Sequence, residues 1–119
     1  LGWAGGLTGE ARRVMKRVFL NLARTRYLKN PQNMVIPCAA TFASCFIDPY
    51  GVVYPCTIWG EPLGSLREAD FDLGRLWFSA KAEELRQAVK GERCPNCWSG
   101  CESSQSILQY MPLGLRFLV

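Results

Sequence analysis

The stretch that decides the fold is residues 46–56, which read Phe46-Ile47-Asp48-Pro49-Tyr50-Gly51-Val52-Val53-Tyr54-Pro55-Cys56. Aromatic and β-branched residues lie on both sides of the Asp-Pro-Tyr-Gly segment. Asp, Pro and Gly at the first, second and fourth positions are typical of a type I turn followed by a left-handed glycine. The pattern predicts a β-hairpin with strands at residues 42–47 and 52–56.

An amphipathic helix is predicted before the hairpin, at residues 8–28. Thr8 is a candidate N-cap, and Asn30-Pro31 ends the helix because a residue before proline is disfavoured in the α conformation. The apolar residues of this segment recur with helical spacing and form one stripe: Ala11, Val14, Met15, Val18, Phe19 and Leu22.

After the hairpin, residues 57–71 are predicted as a loop and residues 72–78 as a short helix. A longer helix is predicted to begin after the N-cap Ser79 and to stop at Gly91. Its apolar side consists of Ala80, Leu85 and Val89. A last short helix is predicted at residues 104–110. The sequence therefore predicts an α+β fold, in which a small domain with a β-hairpin and flanking helices follows an amphipathic helix.

The net charge of +4 is unevenly distributed along the 119 residues. Residues 1–30 carry seven basic side chains and one acidic one, whereas residues 31–119 carry seven basic and nine acidic ones. A basic helix can contact nucleic acid or an anionic membrane surface, but a solvated helix face is the simpler interpretation. We therefore expect neither nucleic acid nor a membrane as a partner.

The candidate functional residues are six cysteines: Cys38, Cys45, Cys56, Cys94, Cys97 and Cys101. The chain has no histidine, which excludes Ser-His-Asp and Cys-His catalysis and every metal site with a histidine ligand. Two of the cysteines frame the predicted hairpin, and the last three form a C-x2-C-x3-C cluster. Cys45 lies in a predicted apolar strand, where a buried structural role is the alternative.

Three kinds of site are compatible with these spacings. A disulfide framework requires an oxidising compartment, which the sequence does not support. Structural zinc favours four thiolates from paired C-x2-C knuckles, and the chain has one such knuckle. An iron–sulfur cluster also takes four thiolates and tolerates dispersed ligands. Spacing alone leaves zinc and an iron–sulfur cluster as alternatives.

The pattern Cys38-x12-Gly51-x4-Cys56 resembles the opening of the SPASM/twitch domain, which follows the catalytic barrel of many radical S-adenosylmethionine enzymes. The resemblance continues through Leu63-Gly64-Ser65-Leu66-Arg67 and Leu76-Trp77-x-Ser79 and ends at the C-x2-C-x3-C cluster. It implies a helix or connector from the barrel at residues 1–35, a cluster domain at 36–103 and a C-terminal tail at 104–119.

The resemblance also implies an auxiliary [4Fe–4S] cluster. Six cysteines are too few for two clusters with four cysteine ligands each, so the one-cluster twitch form is expected. The ligands implied by position are, in order of preference, Cys38, Cys56, Cys94 and Cys97, then Cys101, then Cys45. Trp98 and Tyr54 are expected to shield the sulfurs, and N–H groups near Gly51 and Gly100 to donate hydrogen bonds to them.

The resemblance implies a C-terminal fragment of a cytoplasmic radical S-adenosylmethionine enzyme. Its cluster would serve electron transfer, structural support or substrate positioning. The preceding barrel, through a C-x3-C-x2-C motif that this chain lacks, would bind S-adenosylmethionine. No catalytic residue is expected here, and no residue indicates the substrate. The alternative is a zinc-ordered four-cysteine module that contacts nucleic acid or a protein partner.

Overall fold

The described part of the chain, residues 9–110 of a computed structural model, combines helices with one small antiparallel sheet. In chain order its elements are α1 (Gly9–Leu22), a π-helical turn (Ala23–Tyr27), β1 (Phe46–Ile47), β2 (Val52–Tyr54), β3 (Gly64–Ser65), α2 (Leu73–Trp77), α3 (Ala80–Lys90) and α4 (Gly100–Gln109). The predicted α+β class, with an amphipathic helix before the sheet, is confirmed. No helix in residues 9–110 combines the length and the apolar character that crossing a membrane requires.

The first helix packs its apolar stripe as the sequence predicts. Val18 and Leu22 are fully buried against Ile107 of α4 and against Val35 and Ile36 of the following loop. The side chains off the stripe are exposed: Arg12, Arg13, Lys16 and Arg17. The last turn widens into the π-helical segment, so the predicted helix at residues 8–28 has two parts, and its candidate cap Thr8 lies outside the described residues.

The predicted turn forms, but the strands on either side of it are shorter than predicted. The Gly51 N–H donates to the Asp48 carbonyl at 3.0 Å, and Gly51 has a φ of +86°. Asp48 Oδ1 accepts the N–H groups of Tyr50 and Val52, each at 2.9 Å. The first strand begins only at Phe46, because the chain turns at residues 41–44 with Thr41 at a positive φ. The second ends before Pro55, which has no N–H to donate.

A third strand lies where the sequence predicts only loop. β3 pairs with β2, placing Gly64 opposite Val53 and Ser65 opposite Val52, so β2 is the central strand. A Cβ added at Gly64 would lie 2.7 Å from Leu76 Cδ2 of α2. The sequence does not predict this strand, because two residues are too few to show the alternation of apolar and polar residues that is typical of a strand. Its pairing also depends on neighbours from elsewhere in the chain.

Ser79 caps α3 as the sequence predicts, and Asp72 caps the short predicted helix α2. Asp72 accepts the Gly74 N–H at 2.9 Å, and Ser79 Oγ accepts the Ala82 N–H at 3.1 Å. The buried side of α3 consists of Ala82, Leu85 and Val89. Ala80, which was predicted on this side, is exposed because it occupies the first position of the helix.

The helix α3 ends at Gly91, as the sequence predicts. Gly91 caps the helix with a φ of −84°, and the left-handed residue is Glu92, with a φ of +56°. The Glu92 carboxylate accepts the Met34 N–H at 2.9 Å. This long-range hydrogen bond favours the reversal at a position that is not glycine.

The last helix begins earlier than predicted and takes in the end of the cysteine cluster. Ser99 is its N-cap and accepts the Glu102 N–H at 3.4 Å, so Cys101 lies in the first helical turn and not in a loop. Most of the buried side chains of α4 are polar, and the full set is Glu102, Ser103, Ser106 and Ile107. A polar buried face requires polar or ionic partners.

Two small apolar cores stabilise the described part of the chain. The first joins α1 to α4 and to residues 35–36, and Trp98 packs against it. The second lies between the sheet and α3 and contains Val53, Leu63, Ala82 and Leu85. The cysteine-bearing loops run between these cores.

Candidate metal centre

Four of the six cysteines line one cavity: Cys38, Cys56, Cys94 and Cys97. Cys38 comes from the loop before the sheet, and Cys56 lies two residues after the end of β2. Cys94 and Cys97 lie in the connection between α3 and α4. Within residues 9–110, no three Cys, Asp or Glu side chains are placed to bind a single metal ion. The four sulfurs therefore share a cavity without converging on one point.

Backbone N–H groups are directed at two of these sulfurs. The Ala40 N–H donates to Cys38 Sγ at 3.5 Å, and the Trp59 N–H donates to Cys56 Sγ at 3.3 Å. Such bonds stabilise negative charge on sulfur and orient it toward a metal. The expectation for Gly51 is wrong, since its N–H belongs to the hairpin turn. The other expected donors lie near Gly100, which is the first residue of α4.

Burial raises the pKa of the Cys38 and Cys56 thiols. The backbone hydrogen bonds oppose this effect and lower the pKa of each thiol, whereas the Glu102 carboxylate near both raises it further. Without a bound cation, therefore, these thiols hold their protons more strongly than exposed ones. Metal binding would displace the protons, as it does at thiolate sites in general.

The C-x2-C knuckle is an irregular loop that bends at Cys94. Asn96 has a φ of +45°, a conformation that asparagine tolerates better than most residues. Its Nδ2 donates to the Gln32 carbonyl at 2.9 Å, which ties the loop to the segment before Cys38. The Cys94 thiol is 3.6 Å from Asn96 Oδ1, and the Cys97 thiol is 3.9 Å from Ser99 Oγ.

The other two cysteines lie outside the cavity. Cys101 is exposed on the first turn of α4. Cys45 packs against the second apolar core and borders a shallow depression near Trp77 and Phe78. Burial also raises the pKa of the Cys45 thiol. The four cysteines that the resemblance ranks first thus line one cavity, and the two that it ranks last lie outside it.

The aromatic wall of the cavity differs from the expected one at a single position. Trp98 lines the cavity and stacks on Phe19 of α1, with ring centroids 5.5 Å apart. Tyr54 does not line it, because its ring packs beside Phe46 and its hydroxyl donates to Asp48 Oδ2 at 3.5 Å. Trp59 lines the cavity instead. Its position three residues after Cys56 was the available signal.

Sequence reasoning also missed the polar face of α4. Glu102, Ser103 and Ser106 all line the cavity. Ser106 Oγ accepts the Ala39 N–H at 3.0 Å, which holds the residue after Cys38 against α4. The available signal was the helical spacing of Glu102 and Ser106 immediately after the last cysteine.

The family to which the chain belongs follows from comparison with known domains. The sequence model of the SPASM domain, an iron–sulfur cluster-binding domain, matches residues 38–102, which is more than half of the chain. The chain therefore belongs to the SPASM iron–sulfur cluster-binding family, and its cofactor is an iron–sulfur cluster. Comparison with curated proteins and with solved structures found no match.

Proposed function

We propose that the cavity holds one [4Fe–4S] cluster, with Cys38, Cys56, Cys94 and Cys97 as its ligands. The observation that carries this proposal is that four thiol groups from two distant segments line the same cavity. Their chemistry fits the group, because a [4Fe–4S] cluster takes four thiolates. The N–H groups of Ala40 and Trp59 add the hydrogen bonds that such sulfurs commonly accept.

We further propose that the chain is the auxiliary-cluster region of a radical S-adenosylmethionine enzyme. The order of motifs from Cys38 to Cys101 supports this assignment, as does membership in the SPASM family. The parent enzyme's barrel would bind S-adenosylmethionine. Four thiol ligands leave no iron in need of a substrate ligand, so the role we favour is electron transfer or structural support. Thiolate ligation suits a reducing compartment such as the cytoplasm.

The protein's own residues do three things at this site. Trp59 and Trp98 exclude water from part of the cavity wall. The tie from Asn96 to Gln32 and the tie from Ser106 to Ala39 hold the two cysteine-bearing segments together. When bound, the cluster would supply a one-electron redox centre whose potential depends on hydrogen bonds to sulfur and on solvent exposure.

Anaerobic reconstitution with iron and sulfide tests the nature of the cofactor. We expect about four irons and four sulfides per chain, as the stoichiometry of a [4Fe–4S] cluster requires, and a paramagnetic signal after reduction. Uptake of one zinc per chain in preference to the cluster would contradict the proposal. It would favour a zinc-ordered module instead.

Replacing each cysteine by alanine in turn tests the ligand set. Alanine at position 38, 56, 94 or 97 should remove most of the iron and lower the midpoint of thermal unfolding, because cluster binding contributes directly to folding. Cys45→Ala and Cys101→Ala are the matched controls and should retain the iron. Full iron content in Cys38→Ala, together with loss in Cys101→Ala, would contradict the assignment.

A further inference from the structure

Glu102 is a buried carboxylate that faces the cysteine cavity. Only 6% of its surface is exposed, and it lines the cavity together with the four cysteines. Its neighbour Cys101 is exposed. An α-helix advances by about 100° per residue, so the first turn of α4 directs Cys101 to solvent and Glu102 inward.

The carboxylate of Glu102 does not cap the helix, although a glutamate at this position of a helix commonly does so. Ser99-x-x-Glu102 has the sequence of a capping box, in which the glutamate turns back to the N–H of the capping residue. Here Ser99 Oγ accepts the Glu102 N–H, but Glu102 Oε1 instead accepts the Thr57 N–H at 3.3 Å, with the Thr57 hydroxyl at 3.5 Å. The carboxylate therefore reaches across the cavity toward the residue that follows Cys56.

The second carboxylate oxygen has no partner of its own. Oε2 is buried and forms no hydrogen bond to any group in residues 9–110, and no basic side chain in that range forms an ion pair with Glu102. The positive end of the α4 dipole favours an anion here, but it provides no atom that bonds Oε2. An unpaired carboxylate oxygen is costly to bury, and its nearest charged neighbours would be the thiolates of Cys38 and Cys56. Thiolates would make the burial less favourable, whereas a cation between these groups would make it favourable.

We propose that Glu102 Oε2 is an additional, oxygen ligand to one iron of the cluster, which that iron would bind besides its cysteine. This inference rests on the proposed function, because the cation it requires is iron of that cluster. Carboxylate oxygen is an established ligand of protein-bound iron, and Oε1 is already held by Thr57, which leaves Oε2 as the donor. The C-x2-C-x3-C spacing points to Cys101 as the next iron ligand. The helix α4 instead places the adjacent residue, Glu102, at the cavity.

Mössbauer spectroscopy of the ⁵⁷Fe-reconstituted chain tests this ligation. In the oxidised parent chain we expect one iron to differ from the other three in isomer shift and quadrupole splitting, because it binds oxygen as well as sulfur. Glu102→Gln removes the charge, and Glu102→Asp keeps the charge but shortens the side chain by one methylene. The distinct iron should disappear in both variants. Glu84→Gln, at an exposed position of α3, is the matched control and should retain it.

The outcomes separate ligation from charge and from failure of the proposed function. Glu102→Gln should raise the reduction potential whether or not Glu102 is a ligand, since it removes a negative charge. A potential shift in Glu102→Gln, with the same four iron signals in all of the chains, would show a charge effect only and would overturn the ligation. Iron uptake with no distinct iron in the parent chain would also overturn it while leaving the cluster intact. A parent chain that takes up no iron would overturn the proposed function as well.

Discussion

Cys101 and Glu102 are adjacent in sequence but occupy opposite environments. Counting along the chain makes Cys101 the natural partner of Cys97, because three residues separate them. The α4 helix instead begins at Gly100 and directs Cys101 to solvent. The spacing of cysteines therefore identifies the cluster of candidates, and the local helix decides which of them faces the cavity.

This difference in environment predicts how the cysteines react in the cluster-loaded chain. With iodoacetamide at neutral pH, Cys101 should be alkylated first because it is exposed. Cys45 should react several-fold more slowly, since partial burial hinders the reagent and raises the pKa of its thiol, which lowers the thiolate fraction at a given pH. Raising the pH should therefore accelerate alkylation of Cys45. Peptide mass spectrometry reads out each site.

The four cavity cysteines serve as the internal comparison in that experiment. They should stay unmodified while the cluster is bound, because metal ligation occupies their sulfurs. Alkylation of Cys38 or Cys56 at the rate of Cys101 in the loaded chain would contradict their role as ligands.

The strand β3, which has only two residues, depends on a single glycine. Gly64 has a φ of +155°, pairs with Val53 of the central strand and faces the side chain of Leu76. The close approach of Leu76 joins the sheet to α2 next to the second apolar core. A side chain at position 64 would separate these two elements.

Gly64→Ala should therefore destabilise the fold, by about 1–3 kcal/mol, since it combines backbone strain with a displaced core side chain. Gly60→Ala is the matched control, because no atom lies within 4 Å of a Cβ added there. It should change stability by no more than about 0.5 kcal/mol. Chemical denaturation of the cluster-loaded chains measures both. Equal effects at the two positions would show that the packing on Leu76 is not decisive.

In the molecule as a whole, the cysteine cavity lies between the two apolar cores. Val35, Ile36 and Trp98 line it from the side of the α1–α4 core, and Pro55 and Trp59 line it from the side of the sheet. Each core is small, so a cluster bound between them would be a main connection from α4 to the sheet. Cluster binding and tertiary stability are then linked.

Removal of the cluster should accordingly loosen the chain unevenly. Hydrogen exchange in the segment around Cys94 and Cys97 and in α4 should accelerate by at least about tenfold, which corresponds to ~1.4 kcal/mol of local stability. The β1–β2–β3 sheet and α3, which share their own core, should change less. Exchange mass spectrometry before and after anaerobic chelation provides the measurement. Uniform acceleration throughout residues 9–110 would instead indicate one cooperative unit.

The sequence alone determined those features whose causes lie within a few residues. The Asp48–Gly51 turn, the Ser79 cap and the apolar stripe of α1 follow from local conformational preferences and helical periodicity. The motif order was specific enough to indicate the SPASM family, which the match to residues 38–102 confirms.

The tertiary structure decided which groups meet at the cavity. Thr57 and Glu102 are 45 residues apart and Ala39 and Ser106 are 67 apart, and no local pattern specifies either contact. The same holds for β3, which is a strand only because β2 lies beside it. Packing between distant segments fixes these neighbours, and it places a buried carboxylate among sulfurs where the sequence predicted cysteines alone.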